Sequence, residues 1–124
     1  MSTNPNLYTN PAPLAATVDG LRTGQHSLSL YLDEMAARMD SFEPLVQALL
    51  PEPDRWARLR AEAAALRQRF PDPATRPPLY GLLVGVKDIF HVNSFVTRAG
   101  SQVPPELFAA PKEHPEATCV TQLR

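Results

Sequence analysis

Cysteine is almost absent from this 124-residue chain. The single Cys119 can form no internal disulfide, and no pair of cysteines or histidines stands at metal-ligand spacing. These gaps exclude a bridged secreted scaffold and a zinc site, and they point to a reducing compartment. An excess of charge is missing too: 12 Lys and Arg stand against 13 Asp and Glu, for a net charge of -1. Nothing in that balance calls for nucleic acid or an anionic membrane as partner. No stretch approaches the roughly 20 apolar residues that span a bilayer. Met1 to Asn10 is polar and proline-broken, without the basic flank and apolar run of a signal peptide. A cytoplasmic protein without nucleic-acid or membrane partners, metal or other cofactor is expected.

What the chain does have is proline. Fourteen are present, and all but Pro44 are gathered at Pro5 to Pro13, Pro51 and Pro53, Pro71 to Pro78, and Pro104 to Pro115. Proline lacks a backbone donor and clashes with the preceding helical turn, so each cluster should fall between elements. The intervals are mostly helix-length. Residues 1–13 read as a flexible segment. Leu14 to Arg22 is a short helical candidate closed by Gly24. Ser27 or Ser29 can cap a second helix with Leu28, Leu32, Met35 and Met39 at helical spacing, stopping near Phe42 ahead of Pro44. A third opens at Asp54, whose carboxylate suits an N-cap, and carries a Trp56, Leu59, Ala63, Leu66, Phe70 stripe until Pro71. Its opposite face holds Arg55, Arg58, Arg60, Glu62, Arg67 and Arg69, and the arginines read as a solvated surface rather than a binding patch. With 44% hydrophobic residues, the chain can attempt a modest core.

From Leu79 the texture changes. Leu79-Tyr-Gly-Leu-Leu-Val-Gly-Val86 is continuously apolar and partly β-branched, bounded by Pro77-Pro78 and Lys87-Asp88. It predicts a strand buried on both faces, as inside an α/β sheet. A weaker strand falls near Phe95 to Thr97, and Glu116 to Arg124 reads as a closing helix. One interior strand needs neighbours, so an incomplete domain is implied over 14–124.

Lys87 at the end of that apolar run is the candidate for chemistry. A lysine in apolar surroundings is driven toward its neutral form, which can accept a proton near neutral pH. The plainer reading is a strand end meeting solvent with Asp88 as ion-pair partner. A phosphate loop does not fit, since Val86 precedes the lysine and Asp88 follows it. His26, His91 and His114 are isolated and read as surface or hydrogen-bonded residues. Cys119 reads as a small buried hydrophobe, and Trp56 and Phe70 as core.

The stretch Leu79-Tyr-Gly-Leu-Leu-Val-Gly-Val-Lys87-Asp88, followed by Thr97 and Gly100-Ser101, resembles the opening signature of the amidase-signature family. That signature runs Leu-x-Gly-x-Pro-x-x-x-Lys-Asp, then Thr-x-x-Gly-Ser. Gly24 with Ser27, the Asp40 to Ala48 region, and Pro115 to Arg124 extend the similarity over about residues 14 to 124. Leu83 stands where the family often has proline, Ser94 replaces a frequent glycine, and Ala110 to His114 resembles a short insertion. The resemblance implies an α/β fold with a mixed β-sheet core flanked by helices, of which this chain holds three leading helices, one buried strand, a loop and a closing helix. It also implies hydrolysis of small-molecule amides by a Ser, cis-Ser, Lys triad, with Lys87 as the catalytic base. The two serines belong to a Gly-Ser-Ser-Gly-Gly-type stretch that the 124 residues do not contain. Ser94 and Ser101 read as turn serines rather than substitutes. The chain alone is therefore expected to be inactive. The competing expectation is a non-catalytic remnant that serves as an interaction or oligomerising module, with a homo-oligomer as its assembled form.

Overall fold

The structure is a computed structural model that describes residues 13–107 and 115–124. The expected flexible segment 1–13 falls, Pro13 apart, outside the described residues, as do His114 and the Ala110 to His114 insertion. Two compact units divide between Leu82 and Leu83.

In the first unit, proline and glycine set the element ends. Helix α1 spans Leu14–Thr23 and ends on Gly24, whose φ of 80° is a left-handed cap that glycine adopts without a Cβ penalty. Helix α2 spans Leu28–Val46, and Ser27 Oγ accepts the Leu30 N–H at its start. Its predicted stripe turns inward: Leu28, Tyr31 and Leu32 are buried, while Met35 and Met39 are half-buried. The helix does not stop near Phe42. It runs through Pro44, which lacks a donor for its own turn, and ends at Gln47 with φ 47°. The Glu43 carboxylate takes up the Leu49 N–H at 2.7 Å just beyond.

Helix α3 spans Arg55–Arg69. Trp56, Leu59, Ala63, Leu66 and Phe70 are all half-buried, as their spacing predicts, and α3 packs on α2. Arg60 bonds to Asp33 at 2.8 Å and Arg67 to Ser29 at 3.3 Å across that seam. Asp54 does not cap the helix with its side chain. Glu52 instead accepts from Arg58 Nε at 2.7 Å and Arg55 Nε at 3.1 Å. Arg58 is the main cause holding the Glu52 carboxyl below the usual carboxylate range; burial opposes it and Arg55 adds to it.

Arg76 closes the unit. Its guanidinium donates to the Leu21 carbonyl at 3.1 Å and the Arg22 carbonyl at 3.3 Å, where the unpaired C=O groups of α1 and its dipole favour a cation. It also lies 4.5 Å from the Tyr80 ring centroid. Tyr80, only 2% exposed, stands edge-on to Phe70 at 6.3 Å.

The α/β expectation does not survive. The described residues are helical, with no strand and no sheet; the predicted buried strand Leu79–Val86 is not a strand, and within it only Tyr80 is buried. It is interrupted at its third residue: the Leu82 N–H bonds to the Leu79 carbonyl at 3.1 Å, and Gly81 takes φ 72°. A positive φ at the third position of a four-residue turn favours glycine. Past the turn, Leu82–Lys87 runs without helix, turn or bend, and Val84 and Val86 are 49% and 42% exposed. Strand formation needs a ladder partner, and β-propensity without one does not make a sheet. Phe95 to Thr97 is likewise no strand.

The second unit contains helix α4, Thr118–Leu123, close to the expected closing helix. Its only buried apolar side chain among the described residues is Val120. Cys119 is exposed, contrary to its reading as a buried hydrophobe. On so short a helix, Val120 alone turns inward. No helix among the described residues is long and apolar enough to cross a membrane.

Gly81 carries two constraints at once. Beyond its positive φ, a Cβ there would meet Leu28 Cδ1 at 2.6 Å. Gly81→Ala is therefore expected to destabilise the first unit by about 1–3 kcal/mol, read as a lowered midpoint in chemical denaturation followed by helical circular dichroism. An unchanged midpoint would mean that the turn and the Leu28 contact do not support the fold.

Candidate functional site

Lys87 lies in the second unit, directly before a turn in which its own carbonyl accepts the Ile89 N–H at 2.7 Å and the Phe90 N–H at 3.1 Å. Its side chain is exposed rather than enclosed by Val86 and Ile89, which are themselves exposed. The desolvation that would make it a base is not supplied by these neighbours.

Asp88 is the organising residue. Sequence reading gave it Lys87 as an ion-pair partner. Its main partners are backbone amides ten and more residues on: Oδ1 accepts the Arg98 N–H at 2.9 Å, and Oδ2 accepts the Gly100 N–H at 3.2 Å. The Arg98 amide is the largest cause holding the Asp88 carboxyl below the usual aspartate range. Burial opposes it, while the Gly100 and Ala99 amides and the Lys87 charge add to it. A carboxylate held down in this way adds stability that is complete above the ordinary aspartate pKa and is lost as pH falls through the depressed value.

The amides converge because the chain turns sharply. Ser101 N–H bonds to the Arg98 carbonyl at 2.9 Å, and the two central residues, Ala99 and Gly100, take φ 52° and 72°. Positive φ at both centres is the sign pattern of a type I′ turn, which suits Gly100 and strains Ala99. Arg98 then folds back, its Nη2 donating to the Val103 carbonyl at 3.0 Å. Thr97 Oγ1 makes a second tie, donating to the Phe90 carbonyl at 3.3 Å and standing 3.1 Å from His91 Nδ1. The two stretches of the motif, Lys87-Asp88 and Thr97 to Ser101, are thus joined in one closed loop.

Both motif serines behave as turn residues. Ser101 Oγ accepts the Val103 N–H at 3.1 Å. Ser94 takes φ 72° at the third position of the turn closed by Phe95 N–H and the Val92 carbonyl. The geometry at position 94 is one that glycine adopts readily and serine reluctantly. Glu116 and Ala117 add the remaining ties, through Asn93 N–H to Glu116 at 3.0 Å and Ala117 N–H to the His91 carbonyl at 2.9 Å.

His26 is paired with Glu34 at 3.2 Å and set edge-on to Tyr31. Among the described residues, no three His, Cys, Asp or Glu groups gather to hold a metal. A groove of about 640 Å³ lies between the end of α2 and the start of α3, lined by Met39, Pro44, Leu49 and Trp56 with Glu43 and Arg55, and it contains none of the motif residues. Sequence reasoning missed Arg98 and the true partners of Asp88, since backbone amides leave no side-chain signature. The one available clue was Gly100, a turn residue at the right distance.

Asp88→Asn should loosen this loop at a cost on the order of 1 kcal/mol, speeding hydrogen exchange at the Arg98 and Gly100 amides by roughly five- to tenfold while leaving α1 to α3 unaffected. Unaltered exchange at those two amides would contradict the clamp. Ser94→Gly, by contrast, is expected to be neutral or to stabilise the loop by up to about 1 kcal/mol in the same measurement, because it relieves the positive φ.

No family model matches the chain, nor does any curated protein or solved structure.

Proposed function

We propose that these 124 residues are the lysine-bearing N-terminal part of an amidase-type hydrolase, with Lys87 as the base of a Ser, cis-Ser, Lys triad. The observation that supports this reading is the Asp88 clamp. The two motif halves that resemble the amidase-signature opening are held together by a carboxylate accepting two backbone amides, with Lys87 next to the anchor. A motif whose parts serve one loop is better support than two separate short matches. The strained Ala99 and Ser94 in the same loop point the same way, since backbone strain clusters at functional sites.

In this reading the neutral Lys87 amine takes a proton from the bridging serine, which takes one from the nucleophilic serine. The resulting alkoxide attacks the amide carbonyl, and the C–N bond breaks as the amine leaves with the returned proton. Water then cleaves the acyl-enzyme by the reverse proton path. The two serines and the cover that would desolvate Lys87 belong to chain beyond these residues. Asp88 positions Lys87 through the loop and does not touch the reacting atoms.

The 124-residue chain by itself is expected to hydrolyse no simple aryl amide or ester, because a base without a nucleophile has nothing to activate. Hydrolysis that disappears in Lys87→Ala would overturn this. In a longer chain that includes a Gly-Ser-Ser-Gly-Gly-type stretch, Lys87→Ala should lower turnover by roughly a thousandfold or more with little change in thermal stability. Undiminished turnover there would remove Lys87 from the mechanism.

A further inference from the structure

Asn93 and Ser94 form the centre of the turn closed by the Phe95 N–H and the Val92 carbonyl, and both are exposed. Neither the C=O nor the N–H of the peptide that joins them is bonded to another described residue, and no such bond engages the Asn93 side chain. Turning that peptide toward the Asn93 side chain therefore breaks no hydrogen bond of its own. An asparagine in this state is open to attack by the nitrogen of the residue that follows it. We propose that Asn93 is a modification site, at which spontaneous deamidation converts a neutral amide into a carboxylate beside Glu116.

The co-reactant is water. Hydroxide removes the Ser94 N–H proton, and the nitrogen bonds to Asn93 Cγ. The Cγ–Nδ2 bond breaks, ammonia leaves with a proton taken from water, and a five-membered succinimide remains. Water then adds to one of the two ring carbonyls and opens the ring. Scission at Cγ leaves aspartate. Scission at the main-chain carbonyl leaves isoaspartate, in which the chain runs through Cγ and the α-carboxylate hangs free.

The neighbours select this residue. The other asparagines of the chain, Asn4, Asn6 and Asn10, precede Pro5, Leu7 and Pro11. Proline has no N–H to give up, and the branched leucine side chain crowds the attack. Asp19-Gly20 and Asp40-Ser41 would reach the same ring by losing water, but they lie inside α1 and α2, where a helical hydrogen bond holds the amide that must attack. The product matters because Glu116, whose side chain is 8% exposed, accepts the Asn93 N–H at 3.0 Å. Either product sets a second carboxylate within a few bonds of that N–H, and a like charge so close opposes the tie. Deamidation thus loosens the link between this turn and the residues that open α4.

The test incubates the whole chain at mildly alkaline pH and follows the tryptic peptide Asp88 to Arg98 by mass spectrometry; that peptide holds no other asparagine or glutamine. It should gain about 1 Da, as two products that separate by chromatography. The folded chain should react within about threefold of the rate of the same chain in urea, because the turn gives the amide no protection. Ser94→Gly, which keeps the loop at least as stable, should react about tenfold faster, since glycine removes the Cβ that crowds the attacking nitrogen. An unchanged mass, a folded rate further below the rate in urea, or a Ser94→Gly rate equal to that of the parent chain overturns the proposal. Asn93→Asp installs the charge directly and should lower hydrogen-exchange protection of the residue-93 amide by roughly threefold or more. Undiminished protection there would overturn the effect on the Glu116 tie. None of these readouts involves amide substrates, so they stand or fall separately from the amidase reading.

Discussion

In the second unit, carboxylates do the work that an apolar core does in larger domains. Val120 is the one buried apolar side chain described there, and the chain between Leu83 and Arg124 is tied by Asp88 to the Arg98 and Gly100 amides and by Glu116 to Asn93. Hydrogen bonds to an ionised acceptor are stronger than neutral ones, and each one here closes a loop of ten residues or more. The first unit is built differently. Leu21, Leu28, Tyr31, Leu32 and Tyr80 form its buried apolar set, and Arg76 fastens the end of α1.

This division bears on function. The motif loop is positioned by Asp88 rather than by packing, which leaves Lys87 exposed and the valines before it uncovered. In the amidase reading, an exposed lysine becomes a base only when other polypeptide covers it.

The helices were legible because their signals are local. The 3.6-residue spacing of Leu28, Leu32, Met35 and Met39, and of Trp56 through Phe70, identifies the inward faces, while Gly24 and Pro71 mark two of the ends. Pro44 misled because proline near the last turn of α2 removes one hydrogen bond without stopping the helix. Asp54 misled because its backbone stands at φ -100° and ψ 17°, away from the extended conformation from which a capping carboxylate reaches the first amides of a helix. Leu79–Val86 has local β-propensity, but a strand is defined by a neighbour in space, and none is present among the described residues. The spacing of Lys87-Asp88, Thr97 and Gly100-Ser101 was visible. That Asp88 would grip the amides of the later pair was not, because a backbone donor looks the same in every residue.

The most direct test of the account is to follow the Asp88 carboxyl carbon through acid titration by NMR. Its midpoint should lie below the ordinary aspartate value of about 3.9, and the Arg98 and Gly100 amide shifts should move with it as the clamp releases. A midpoint at the ordinary value, with those amides unmoved, would contradict the claim that Asp88 joins the two halves of the motif.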